Sequence, residues 1–270
     1  MSDLFDQAPA GGPRTKAELL ETISASRLRT WLSCRLKFYF RYLSGVAKPP
    51  SAAMRVGTIV HAVLQQWNLA RWRRAPLEGG IIRTVFDQAW FNADLAEPVN
   101  WRGEEEETKA GAFALIETYL RDTPIPLQER PEGVEVSVEK DLGRYGLPKL
   151  VGIIDLVRQG GRIVDFKTTG RTPDPEMVLH TTEVQTTGYA MLYREATDNE
   201  ESGIELHHLV RLKTPKLVVT QAGPATDRQQ DKLLRLIESY ARGLEAEDFA
   251  PAPGFQCAGC EFFNECRAWH

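Results

Sequence analysis

Asp155, Asp165 and Lys167 are the residues whose types and spacing bear most directly on chemistry. They fall in the stretch LVGIIDLVRQGGRIVDFK, residues 150–167. Asp155 interrupts one apolar run, and Asp165 stands near the end of another. A bare carboxylate inside a strand is costly unless positive charge meets it. Lys167 follows Asp165 by two residues, so on an extended strand both project from the same face. Two acids and an ammonium converging there would make a cation site with a charged helper. A hairpin closed by ordinary salt bridges would use the same three residues.

Several elements must position this triplet. Residues 150–157 and 162–166 are β-rich and flank Gln159-Gly160-Gly161, a hairpin signal. Upstream, residues 24–43 carry Leu28, Trp31, Leu32, Leu36, Tyr39, Phe40 and Leu43 at helical spacing. Ser24 or Ser26 offers that helix an N-cap, and Cys34 sits inside it. Arg27, Arg29, Arg35, Lys37 and Arg41 form either a solvated basic face or one that meets phosphates. After Lys48-Pro49-Pro50, a helix over 54–74 carries His61 beside an apolar stripe. A lone helical histidine is ordinarily structural and becomes a ligand only where another feature needs a neutral nitrogen. This helix ends in Arg71-Trp72-Arg73-Arg74, a modest nucleic-acid cue.

Helices are expected over 81–95 and 104–121, with the Glu104–Glu107 acids at the second helix's N-terminus. A strand over 133–141 precedes the hairpin. A helix over 177–195 follows, placing Gln185 and Tyr189 on one face. Strands over 205–212 and 216–220 come next. Thr226 and Gln229 then make a capping box opening a helix to about residue 244.

The length of 270 residues allows one large domain or two small ones. Hydrophobic content of 42% and charged content of 26% are ordinary for a globular chain. The net charge of −4 argues against a generally basic surface but leaves room for a local basic groove. No apolar run reaches the ~18 residues of a membrane span. The acidic start lacks a secretory core, so a cytoplasmic location is expected. Residues 1–15 read as a flexible tail. Pro124, Pro126 and Pro131 mark a join inside one domain over 16–270, between a helical part (16–130) and an α/β core (131–248). The pattern GxxxxGK[ST] is missing, which argues against an ATP-driven motor in this chain.

A cysteine-rich tail, 249–270, holds Cys257, Cys260 and Cys266 in the spacing C-x2-C-x5-C. Two cysteines separated by two residues can turn toward one metal. The fourth cysteine of the chain is Cys34. Zinc and an iron–sulfur cluster both fit four thiolates, and unligated thiols are the alternative.

Taken together, the motifs resemble the RecB-type branch of the PD-(D/E)XK nucleases. The resemblance is to its iron–sulfur members: the AddB nuclease domain, the CRISPR-associated RecB-like exonucleases and the exonuclease V group. It runs from Ser24 to Cys266. Cys34-Arg35-Leu36-Lys37-Phe38 matches the family's Cys-Pro-x-x-Phe, with arginine in place of proline. Gly57-Thr58-Ile59-Val60-His61 matches Gly-x-x-x-His, and Gly152-Ile153-Ile154-Asp155 matches G-x-x-D. Asp165-Phe166-Lys167 matches the D/E-x-K block, and Gln185-Thr186-Thr187-Gly188-Tyr189 matches Q-x-x-x-Y. The terminal cysteines match the cluster block.

The resemblance implies an α/β fold, a restriction-endonuclease-like core whose small mixed sheet is flanked by helices. It implies a DNA exonuclease of recombination, repair or CRISPR adaptation, working alone, beside a helicase or with adaptation proteins. His61, Asp155, Asp165 and the Phe166 carbonyl would hold Mg²⁺ or Mn²⁺. Lys167, Gln185 and Tyr189 would complete the catalytic set, with Glu139 a more distant helper. Cys34, Cys257, Cys260 and Cys266 would hold a [4Fe–4S] cluster that joins the chain ends. Arg27, Arg35, Lys37, Arg71 and Arg73 are the expected DNA contacts. The rival readings are an inactive DNA-end-binding or partner-binding module and a redox or regulatory iron–sulfur protein.

Overall fold

The expected alternation of amphipathic and β-rich stretches is realised as one mixed sheet between two helical layers. The computed structural model describes residues 13–75, 77 and 79–269; most of the expected N-terminal tail, 1–12, lies outside them. Thr15 caps α1 (Lys16–Glu21) through a reciprocal capping box with Glu18. The short strand β1 (Thr22–Ser24) follows, and Ser24 caps α2 (Ala25–Ser33).

The single helix expected over 24–43 is broken. Cys34 is extended, with φ −168° and ψ 115°, and serves as both the end of α2 and the cap of α3 (Arg35–Phe38). A wider π-type turn over Tyr39–Leu43 completes the segment.

Three long helices come next: α4 (Ala52–Trp72), capped by Ser51, α5 (Gly79–Ala96) and α6 (Glu105–Asp122). The sheet is then built from β2 (Gly133–Lys140), β3 (Lys149–Arg158) and β4 (Arg162–Thr169). Asp174 caps α7 (Pro175–Thr197), with Pro175 at its first position. The hairpin β5 (Gly203–Val210) and β6 (Lys216–Ala222) precedes α8 (Asp227–Glu245), which opens with the expected Thr226–Gln229 capping box. The short α9 (Phe263–Arg267) lies in the tail.

The strand order is β1-β3-β4-β5-β6, with β2 on the other flank of β3. β1–β3 and β4–β5 are parallel; β2–β3, β3–β4 and β5–β6 are antiparallel. One sheet face packs on α1, α2, α7 and α8 through residues such as Leu28, Trp31, Ile154, Leu192, Leu206 and Ile237. The other packs on α4–α6 through Ile59, Val63, Phe86, Ile116, Leu156 and Phe166. A satellite core of Leu36, Phe40 and Phe262 joins the segment after α2 to the tail. Ion pairs Arg35–Asp248, Arg41–Glu261 and Lys48–Glu265 reinforce that junction.

Two details of the sheet prepare the site. Residues two apart on a strand should share a face. Ile154 nevertheless lies in the first core and Leu156 in the second, so β3 turns over at Asp155. Opposite this point, between the pairs Val134–Leu156 and Val136–Ile154, Glu135 has a left-handed φ of 51°. That backbone region is unfavourable for a residue with a Cβ and persists only where the surroundings impose it.

Candidate active site

The β3–β4 ladder pairs Arg158 with Arg162, Val157 with Ile163 and Leu156 with Val164, and then stops. The next pair in that register would be Asp155 with Asp165. The ladder stops there, so both acids stand where the two strands part.

The Asp155 carboxylate replaces part of the missing ladder: its Oδ2 accepts the Phe166 N–H at 2.9 Å. The same oxygen lies 3.6 Å from His61 Nδ1, beyond hydrogen-bond range, and that buried nitrogen has no hydrogen-bond partner. His61 reaches the sheet because α4 crosses β4 closely at Gly57. A Cβ there would stand 3.1 Å from Thr168 Oγ1. One helical turn later His61 meets Asp155 and the Phe166 main chain. The glycine of Gly-x-x-x-His thus sets the approach, and the histidine uses it.

Asp165 is 1% exposed and faces the other helical layer. Lys167 Nζ sits 2.9 Å from its Oδ1 and 2.8 Å from its Oδ2. Gln185 Nε2 donates to Oδ1 at 3.1 Å and also to the Tyr189 hydroxyl at 2.9 Å. One turn of α7 therefore carries Gln185 to Asp165 and Tyr189 to Gln185. Its seat against β3 depends on Gly152, where a Cβ would stand 2.7 Å from Leu192 Cδ1.

The electrostatics follow from burial. Desolvation, then the charge of Lys167, holds His61 down to about 4, so its imidazole is neutral near pH 7. A neutral imidazole is the form that binds a metal. Desolvation raises Asp165 above the usual carboxylate range; Lys167 opposes this, and the neighbouring Asp155 adds to it.

Among the described residues, no group of three or more His, Cys, Asp or Glu side chains stands in a ready-made metal-holding arrangement. The donor set nevertheless fits a divalent cation. It offers an orphaned neutral nitrogen and two buried carboxylates, one of them raised chiefly by desolvation. Glu139 pairs with Val151 and is exposed, well along β2 from Asp155.

The four cysteines carry no disulfide, and all four line one pocket of about 100 Å³, together with Leu36, Phe40 and Phe262. Lys37 N–H points at Cys34 Sγ, 3.5 Å away, and Gly254 N–H at Cys257 Sγ, 3.4 Å away. Burial raises the Cys266 thiol, and so do the other three cysteines. The break at Cys34 brings its thiol to the tail.

The expected DNA contacts divide. Arg27 is fully buried and donates to Thr22. Arg71 is 5% exposed and held by Asn68 and the carbonyls of Pro126 and Glu129. Neither presents charge outward, which corrects the expectation for both: each guanidinium ties main chain or side chains inside the molecule. Arg35 pairs with Asp248, just before the tail, and Lys37 with Glu261 within it. Arg73 is exposed. His208, which no motif marks, sits beside Lys167 on β5. Its only local sign was its place in an apolar strand.

A family model described as the PD-(D/E)XK nuclease superfamily matches residues 22–267. Among solved structures, a "putative exonuclease" from Eubacterium rectale is similar over 95% of this chain and 91% of its own, with a TM-score of 0.58 at 14% identity. A second, SSO0001, gives a TM-score of 0.43 at 14% identity, over 92% of this chain and 86% of its own. No curated protein matches the chain. No helix among the described residues is long and apolar enough to cross a membrane.

Proposed function

We propose that this chain, which belongs to the PD-(D/E)XK nuclease superfamily, is a divalent-metal-dependent deoxyribonuclease acting as an exonuclease on DNA ends or single strands. The observation that carries the reading is the opening of β3 from β4 at Asp155 and Asp165, with His61 on one side and Lys167 on the other. Asp155, Asp165, His61 and the Phe166 carbonyl are the groups that would hold Mg²⁺ or Mn²⁺. Such a cation polarises a scissile phosphate and lowers the pKa of a water molecule.

The chain's own residues do the rest. Lys167 supplies a positive donor for the attacking water or for charge developing on the phosphate. Gln185 fixes the Asp165 carboxylate and links it to Tyr189, so the metal-facing oxygens keep one orientation. The fold excludes bulk water from Asp165 while leaving Lys167 partly open.

The exonuclease mode rests on the sequence resemblance, and the description of the Eubacterium rectale structure agrees with it. A helicase or CRISPR adaptation proteins are the partners that resemblance offers. We assign Cys34, Cys257, Cys260 and Cys266 to a [4Fe–4S] cluster with a structural role. Their shared pocket and the two N–H groups pointing at sulfur support this assignment.

The deciding experiment digests end-labelled single-stranded and duplex DNA with Mg²⁺, Mn²⁺ or EDTA. Metal-dependent release of nucleotides from an end supports the reading. DNA binding in EDTA without cleavage under any metal favours the inactive end-binding module instead.

A further inference from the structure

We propose that His208 is a positioning residue for Lys167, giving the ammonium a second anchor when a cation occupies Asp165. This inference rests on the nuclease reading of the site.

Three observations support it. The first is placement. β4 and β5 are parallel, and Lys167 is the register partner of His208, while Asp165 is the partner of Leu206. Register partners share a sheet face. Leu206 belongs to the core under α7, the layer that also carries Gln185, so His208 stands on the face of Asp165 and Lys167. The second is an unmet need. His208 is 6% exposed, and its Nδ1 is buried without a hydrogen-bond partner. A buried polar atom left unpaired is costly, so such an atom beside Lys167 points to a partner that arrives in another state. The third is the ring's setting. Burial disfavours its protonation, and the charges of Asp165 and Lys167 both reach it. A neutral imidazole keeps one acceptor nitrogen, and the unpaired Nδ1 is free to fill that role.

Lys167 needs such an acceptor. Its ammonium has three donors; it donates to Asp165 Oδ1 and stands 2.8 Å from Oδ2. A cation on Asp165 competes for those same oxygens. The Lys167 side chain is 30% exposed, and without another hold it would swing toward water. His208 Nδ1 is buried and would keep Nζ beside the strand opening instead of letting it turn to solvent. No proton is transferred and no bond is made in this role.

The test uses the full chain in its wild-type form and as His208→Gln and His208→Phe. The first measurement is a crystal structure of the wild type with Mn²⁺. Lys167 Nζ is expected to leave one Asp165 oxygen and approach His208 Nδ1 to hydrogen-bond distance. If Nζ stays on Asp165 with no His208 atom in reach, the proposal is overturned.

The second measurement is steady-state cleavage of labelled DNA. His208→Phe, which fills the space but cannot accept, should lower kcat by about 10²-fold with little change in KM, the scale of a misplaced catalytic group. His208→Gln, which restores an acceptor, should recover most of that loss. An unchanged kcat in His208→Phe rejects the proposal, as does a Gln variant that folds but is no better than Phe. Should His208→Phe fail to fold, the Mn²⁺ structure and the Gln variant decide. If the wild type forms the Nζ–Nδ1 contact yet cleaves no DNA, the positioning role stands and the nuclease reading falls.

Discussion

Asp155 and Asp165 occupy the first position at which β3 and β4 no longer pair. A ladder bond is given up there, and the Asp155 carboxylate takes the orphaned Phe166 N–H. The break therefore creates the opening, and one of the two acids offsets its cost. The other, Asp165, stays buried with its pKa raised and gains most from a bound cation.

That imbalance predicts a trade between stability and activity at Asp165. Its folded pKa lies above the unfolded value, chiefly through desolvation. The folded state then binds the proton more tightly, so stability is lost as pH rises through the folded pKa. Asp165→Asn removes that loss. In metal-free buffer at pH 8 the variant should melt higher than wild type, while cleavage falls by about 10²–10³-fold or more, the scale of a lost transition-state contact. Thermal melts and a digestion assay check both halves. A variant that is inactive and also less stable would contradict the account.

His61 should behave in the opposite sense. Burial and the Lys167 charge hold it down to about 4, below an unfolded histidine. Between about pH 4 and 6.5 the unfolded chain therefore binds more protons at this residue, and stability falls as the solution is acidified. His61→Gln should flatten the slope of stability against pH in that window. Urea melts of the metal-free protein across the window measure it. Equal slopes for the two proteins would remove His61 from the balance.

Cation binding gives a third expectation. A ligand at about 100 times its Kd stabilises a folded protein by ~2.7 kcal/mol. Mn²⁺ should raise the wild-type melting temperature by several degrees, reversibly with EDTA. Asp155→Ala and His61→Ala should each remove most of that rise. Scanning fluorimetry with and without Mn²⁺ reads it directly, and a full rise in Asp155→Ala would move the metal elsewhere.

Much of this arrangement was legible in the sequence because it is local. Period two on a strand puts Asp165 beside Lys167, and period 3.6 on a helix puts Gln185 beside Tyr189; both pairs are joined in the structure. His61 was not local: only a motif, and not its surroundings on α4, could pair it with Asp155. The break at Cys34 was hidden because Leu32 and Leu36 keep helical spacing across it. The residue at the break packs against the tail, which lies at the far end of the chain. Charge alone misled at Arg27 and Arg71, since a guanidinium that ties carbonyls internally reads the same as one that meets phosphate. β1 was missed because three residues are too few to show a period.

Gly152 gives a packing prediction. A methyl group there would stand 2.7 Å from Leu192 Cδ1, inside any real contact, and Leu192 is itself buried. Overpacking of this kind costs about 1–3 kcal/mol. Gly152→Ala should lose that stability and, by lifting α7 from β3, move Gln185 and Tyr189 away from Asp165. Adding Leu192→Ala makes room for the methyl group. The double variant should regain activity relative to Gly152→Ala even though it has lost a leucine. A double variant with no more activity than Gly152→Ala would show that the glycine acts otherwise.

The cysteine pocket supports the last prediction, because two kinds of link join the chain ends there and they can be separated. One is independent of any cofactor: Leu36 and Phe40 pack on Phe262, and Arg41 pairs with Glu261. The other is the proposed cluster on Cys34, Cys257, Cys260 and Cys266, which line the same pocket. A link closing so long a loop constrains the unfolded chain strongly, by analogy with long-loop disulfides. Protein purified without oxygen should be yellow-brown. Cys34→Ala and Cys260→Ala should each bleach it, lower the melting temperature and raise protease cleavage at both ends. Arg41→Ala should weaken the junction while leaving the colour. Iron and sulfide per chain are the deciding numbers. A full complement in Cys34→Ala would leave a three-cysteine tail site and break the clasp. Zinc without sulfide in the wild type would keep the clasp and replace its cofactor. Neither iron nor zinc after anaerobic purification would leave the apolar packing and the ion pairs as the whole of the junction.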